Sequence, residues 1–435
     1  MRRIAVLGTV FVLLAVLAPH AVAREHGSDQ GTACFQSSTG AVPIPDLGEA
    51  TYGSAQGGLY PGGSNTIPTD HEAAGQWHAS QIEPLDGVGN PDPDGAIAVV
   101  SLGVSNTWRE FQDFMAIAEG NTAPAVVLVN GAQAGEPIAK WVDPQGRTWA
   151  NVDAALSDAG VSADQVQAAW VKIPERIMTF DELEPFPVDA QTYQAELVKV
   201  LRIAKDRYPN LHIAYLSSRI YGGYSESAAP SPEPLSYENG FGVKWVVEQQ
   251  INGAPELNHD ATVGTVEAPW LAWGPYLWAD GIIPRADGLT WECSDFRRDG
   301  THPTSEGIRK VGTMLAEHFL SAPTAVGWFT VTGEPVEIGE LPPISRDQGV
   351  SPDRSTDPGS DRRERDANAT ERPSTTAIDE GVHETEALDQ PESESEGRPS
   401  SNPSSLVLIV AVIVLGLGLV AGVGLIVVSR RRDQG

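Results

Sequence analysis

Ala96-Ile97-Ala98-Val99-Val100-Ser101-Leu102-Gly103-Val104-Ser105-Asn106-Thr107-Trp108 is an apolar run rich in branched residues that turns at a glycine and enters a helical pattern over Trp108–Ala118. A run of this length and composition reads as a buried strand, and Gly103 permits a tight turn after it. Three further runs, Ala125–Asn130, Ala168–Ile173 and Leu211–Ser217, have the same character. Helical patterns over Val152–Ala159, Ala190–Arg207 and Tyr237–Ile251 separate or follow them; in Ala190–Arg207 the apolar Leu197, Val200, Leu201 and Ala204 recur at helical spacing. Such alternation predicts one α/β domain, a parallel sheet with helices on both faces. Functional groups of such sheets gather at the carboxyl ends of the strands, and Ser105 stands just past the end of the first.

A second stretch, Asp299-Gly300-Thr301-His302-Pro303-Thr304-Ser305-Glu306-Gly307, leads into Ile308–Leu320, where Val311, Met314, Leu315 and Phe319 form an apolar stripe. His302 therefore falls on the loop entering the last helix, with Asp299 near enough to hydrogen-bond its ring. A hydroxyl becomes a useful nucleophile when an imidazole takes its proton, and a carboxylate fixes that imidazole's tautomer. Taken singly, Ser105 also suits a helix N-cap and His302 an exposed turn. Taken together, Ser105, His302 and Asp299 read as nucleophile, base and orienting acid.

These two stretches resemble the first and last blocks of the SGNH/GDSL-type serine hydrolases. Gly103-Val104-Ser105 stands where that superfamily has Gly-Asp-Ser, and Asp299 with His302 matches its final Asp-x-x-His. The resemblance spans roughly residues 90–322 and implies a three-layer αβα, flavodoxin-like fold and hydrolysis of ester bonds without metal or organic cofactor. It also implies an oxyanion hole built from the Ser105 amide and Gly131, in Val129-Asn130-Gly131-Ala132. The third block departs from the family. Where a Gly-x-Asn-Asp is expected, this chain has Trp170-Val171-Lys172-Ile173-Pro174-Glu175. Losing one oxyanion donor typically costs about a hundredfold or more in rate, so Asn130 or the Lys172 ammonium is a candidate replacement. A turn residue and a strand-end charge are the plainer readings of those two positions.

The chain ends bound the setting. Arg2 and Arg3, an apolar run from Ile4 to Ala18 and Ala21-Val22-Ala23 read as a signal peptide over residues 1–23. The apolar run Leu406–Val428 followed by Arg430, Arg431 and Arg432 reads as a transmembrane helix (405–429) with a cytoplasmic tail (430–435). Between them, residues 344–404 hold fifteen acids and seven arginines with almost no aromatic or branched apolar residue, the composition of a disordered stalk. The expected product is a single-pass type I protein whose folded domain, residues 24–343, lies outside the cell membrane. Of the net charge of −29, about −25 belongs to that domain, which argues against nucleic acid as a partner. Cys34 and Cys293 are the only cysteines, and export to an oxidising compartment favours a disulfide between them.

Two stretches bear on ligands. Trp270-Leu271-Ala272-Trp273-Gly274-Pro275-Tyr276-Leu277-Trp278 reads as a loop before the Asp–His block, so Trp273, Tyr276 and Trp278 are candidates to stack on a sugar or line an acyl pocket; core packing is the plainer alternative. Tyr221, Tyr224 and Tyr237 are candidate rim residues. Residues 34–95, rich in Gly, Pro and Asn, read as an irregular wrap, and no Gly-Lys-Ser/Thr makes a phosphate loop of Gly57–Gly63. The leading expectation is a cell-surface esterase acting on an acyl group, such as acetyl, of a glycan or small molecule. The alternatives are a catalytically weak module of the same fold that binds glycan or envelope ligands, and a structural or adhesive envelope protein.

Overall fold

The computed structural model describes residues 34–175, 180–225, 232–341 and 344. The expected signal peptide, transmembrane helix and cytoplasmic tail lie outside these residues, as does all of the expected stalk but Ile344. Among the described residues no helix is long and apolar enough to cross a membrane.

Five strands form the central sheet: β1 (Ile97–Gly103), β2 (Val126–Asn130), β3 (Val166–Lys172), β4 (Ile213–Leu216) and β5 (Trp270–Trp273). Their order is β2-β1-β3-β4-β5, and every pairing is parallel. Register places Val99 beside Leu128 and Gly103 beside Lys172. Every residue of β1, β3, β4 and β5 is buried, which is why their sequences are continuous apolar runs without alternation. The strand order reverses at β1: the chain steps outward to β2, then returns past β1 to β3. A crevice forms at such a switch point because the flanking connections leave on opposite faces of the sheet.

The principal helices are α1 (Thr69–Ala79), α2 (Ser105–Ala118), α3 (Arg147–Asp158), α4 (Val188–Arg207), α5 (Leu235–Ile251) and α6 (Ser305–Ser321). Helices α2 and α6 pack together, with Phe114 of α2 at 5.2 Å from Phe319 of α6 between ring centroids. Helices α4 and α5 form a second pair. They approach closely because Gly242 carries no side chain: a Cβ there would fall 2.5 Å from the Tyr193 ring. Each large apolar side chain in these layers contributes about 1.5–3 kcal/mol by leaving water.

The four expected strands are present, but β5 corrects the reading of its segment as a loop. Trp270–Trp273 is a strand of four residues that stops at Gly274-Pro275. The N-terminal region is likewise less irregular than its composition suggests, since it contains α1. Asp70 and Glu72 in its first turn suit the positive end of the helix dipole. Gly75 lets α1 lie directly on β5: a Cβ there would meet the Trp270 ring at 2.3 Å. Cys34 and Cys293 are joined, with Cα atoms 5.8 Å apart. The bridge ties the start of the described chain to the segment leading to Asp299. Asp280 reinforces that tie by accepting hydrogen bonds from Ser38 Oγ (2.5 Å) and the Thr39 amide (2.6 Å).

Candidate active site

Helix α2 begins at Ser105 itself, three residues before the expected Trp108, with Val104 as its N-cap in extended conformation. The turn into it is very tight. A Cβ on Gly103 would lie 2.3 Å from Thr107 Oγ1 and 2.4 Å from the Lys172 carbonyl, so only glycine fits. Thr107 Oγ1 donates to that carbonyl at 2.6 Å and pins the start of α2 to β3. Valine has no acceptor for the first helical amides, and no side-chain cap hydrogen bond is made at Val104. The N–H of Ser105 therefore has no intrahelical acceptor and stands at the positive end of a helix of 14 residues.

The Asp299–His302 loop closes over this helix start. Gly300 adopts φ +64°, and a Cβ on it would strike the Tyr224 carbonyl at 2.3 Å. Asn106, buried beside Ser105, donates to the Thr301 carbonyl at 3.2 Å and fastens the loop to α2. The three expected side chains meet there. Ser105 Oγ lies 3.1 Å from His302 Nε2, and His302 Nδ1 lies 2.7 Å from Asp299 Oδ2. The other oxygen, Asp299 Oδ1, accepts the amides of Thr301 and His302, each at 2.9 Å. Partial burial by itself would raise the Asp299 carboxyl. The hydrogen bonds from the His302 ring and from these two amides outweigh it and hold the group well below the usual carboxylate range. An ionised Asp299 makes Nδ1 the protonated nitrogen of a neutral His302 ring, leaving Nε2 to accept from Ser105. The chain of contacts is thus poised to remove a proton from Ser105 Oγ.

The other expected site residues are placed differently. Asn130 is not free to donate to a bound oxygen: its Nδ2 donates to the Trp108 carbonyl at 2.7 Å and its Oδ1 accepts from Ser101 Oγ at 2.9 Å. It locks β2 to the first turn of α2. Lys172 is buried, and its Nζ is taken up by both carboxylate oxygens of Glu110, at 2.8 and 2.5 Å. Gly131 follows β2, where a Cβ would lie 2.8 Å from the Ser101 carbonyl. Of the expected oxyanion donors, the Asn130 side chain is committed, whereas the amides of Ser105 and Gly131 carry no hydrogen bond among the described residues.

The aromatic candidates are core residues. Trp273 donates Nε1–H to the Leu59 carbonyl at 2.8 Å, and Tyr276 accepts the Ile44 amide at 3.3 Å. Trp278 donates to Glu233 at 2.8 Å. All three are buried, as are Tyr221, Tyr224 and Tyr237, so none offers a ring face to a ligand. The N-terminal segment supplies partners for the polar atoms of Trp273, Tyr276, Tyr221 and Tyr237, and Glu233 and the Trp291 carbonyl serve Trp278 and Tyr224, which meets the usual requirement for burying Trp and Tyr. Sequence reasoning in turn missed Asn106, Thr107 and Gly300, which hold the site together. Their only signal is adjacency to Ser105 and His302. Among the described residues no group of three His, Cys, Asp or Glu side chains could hold a metal ion. No protein-family model matches this chain, and no curated protein matches it.

Proposed function

We propose that the protein is a serine esterase of the SGNH/GDSL type, with the three-layer αβα fold of that superfamily, held at the outer face of a cell membrane by its C-terminal segment. The observation that carries this reading is the Ser105–His302–Asp299 chain of contacts at the carboxyl end of β1. Ser105 Oγ attacks the ester carbonyl while His302 Nε2 takes its proton, and the imidazolium is stabilised by Asp299. The tetrahedral oxygen faces the Ser105 amide at the start of α2. His302 then returns the proton to the departing alcohol, and water resolves the acyl-enzyme by the same steps in reverse. These side chains suffice for acyl transfer without a cofactor. An acetyl or other short acyl group on a small molecule or glycan is the substrate class, although the burial of Trp273, Tyr276 and Trp278 removes them as a sugar platform.

A second reading is favoured by one observation: Asn130 and Lys172 are already committed elsewhere, and the third-block asparagine is absent. A hole with one donor fewer loses about 10²–10³ in rate, which describes a slow enzyme or a binding module of the same fold. Hydrolysis of p-nitrophenyl acetate and butyrate by the wild-type chain and by Ser105→Ala separates the two. The esterase reading expects turnover that falls at least about a thousandfold in the variant. Equal rates would reject it.

A further inference from the structure

Arg109 is anomalous. It lies one turn along α2 from Ser105, is only 7% exposed, and its Nε and Nη1 are buried without a hydrogen-bond partner. A buried guanidinium normally sits on a carboxylate, because the cost of removing it from water is otherwise unmet. Every carboxylate near it is already committed. Glu110 holds Lys172, Asp113 holds Arg309 through two contacts of 2.8 and 3.0 Å, and Asp299 holds His302 and two amides. At 100° per residue, Arg109 falls between the directions of Ser105 and Asn106, the two residues of α2 that touch the His302 loop. Its charge is felt by Arg297 and Asp299 of that same loop. Arg297, half-buried, makes no side-chain hydrogen bond or ion pair among the described residues. Two guanidinium groups thus stand beside the triad, and the carboxylate whose charge reaches Arg109, that of Asp299, is already engaged by His302 and two amides, in a chain whose net charge is −29.

We propose that Arg109 and Arg297 form an anion subsite that receives the carboxylate or phosphate of an anionic ester, held about one helical turn from the Ser105 hydroxyl. Planar guanidinium forks match either group bidentately. An anion there would accept from one edge of the Arg109 guanidinium, pairing Nη2–H with the orphaned Nε–H or Nη1–H, and relieve the repulsion between the two arginines. The surrounding acidity of the chain does not forbid this, because charges beyond about 8 Å are screened at physiological salt while the pair acts at contact distance. The subsite rests on the esterase reading only for the identity of the bound molecule.

Its test uses binding to the full chain carrying Ser105→Ala, so that it does not depend on turnover. Calorimetry with monomethyl succinate and with its uncharged analogue dimethyl succinate measures the preference for charge. We expect the half-ester to bind at least tenfold more tightly, and Arg109→Gln or Arg297→Gln each to abolish most of that preference while leaving the diester unchanged. Arg297→Gln alters a half-buried loop residue and serves if Arg109→Gln disturbs folding. Displacement of the half-ester by inorganic phosphate would extend the subsite to phosphate esters, whereas failure to displace it would restrict the subsite to carboxylates. Equal affinity for half-ester and diester, or a preference that survives both substitutions, would overturn the proposal. A wild-type chain that hydrolyses neither ester, with the charge preference intact in Ser105→Ala, would reject the esterase reading and leave the subsite standing.

Discussion

Breaking the Lys172–Glu110 pair should loosen the nucleophile from beneath. Both side chains are buried, at 2% and 0% exposure, and Nζ lies 2.5 Å from the nearer oxygen. Burial, the largest influence, pulls the Lys172 ammonium below its ordinary value, while Glu110 opposes it. Removing one partner strands a charge in the interior, which costs about 3–5 kcal/mol, whereas replacing both with apolar residues of similar volume is typically neutral or stabilising. Glu110→Gln or Lys172→Met should therefore each destabilise by about 3–5 kcal/mol, and Glu110→Leu with Lys172→Met should recover most of it. The effect should reach the site, because Lys172 pairs with Gly103 in the sheet and its carbonyl receives Thr107 Oγ1. Urea unfolding followed by tryptophan fluorescence measures the stabilities, and the rate of Ser105 acylation measures the local effect. Single variants costing under about 1 kcal/mol, or a double variant no better than the singles, would refute the reasoning.

Three further outcomes follow from the same geometry. Asp299→Asn keeps the shape of the side chain but removes the charge that fixes the His302 tautomer, so ester turnover should fall by about 10²–10⁴ with little change in KM, as steady-state kinetics would show. Cys34→Ser opens a closed loop of 259 residues, worth about 5 kcal/mol in chain entropy, and thermal unfolding of the variant against the oxidised wild type should show a lower Tm. His71 and His78 on α1 are largely buried, and burial, aided by neighbouring His259 and, for His78, by His212 and Lys205, pushes them down to about 4 and about 3. Asp260 opposes this at His78 without reversing it. Below about pH 6.5 the unfolded chain takes up protons that the folded state refuses, so each histidine should remove about 2 kcal/mol of stability by pH 5, and urea midpoints should fall between pH 7 and 5.

Much of this architecture is written plainly in the chain, and the exceptions share a cause. The runs ending at Gly103 and Asn130 and those containing Trp170 and Tyr215 are long enough and branched enough to read as buried strands without help from the rest of the protein. Trp270–Trp273 is not, because four residues before Gly274-Pro275 make a strand only when β4 and α1 are already beside them. Helix α1 escapes notice for the related reason that it buries His71, Gly75 and His78 where an apolar stripe would be expected. At the site, Ser105, His302 and Asp299 stand out because each occupies a strand–helix or loop–helix junction. The reading of Asn130 as a donor fails because chemistry allows a role that packing takes away: its amide is already given to the Trp108 carbonyl. The aromatic stretch fails similarly, since hydrogen bonds from segments far away in sequence, Ile44 among them, make its burial possible.

Whether Ser105 is a nucleophile can be read directly. Treating the wild-type chain with a fluorophosphonate and mapping the modified peptide by mass spectrometry should find the adduct on Ser105, absent from Ser105→Ala and formed much more slowly in His302→Ala. No adduct on the wild type, or an adduct on another residue that persists in Ser105→Ala, would contradict the account.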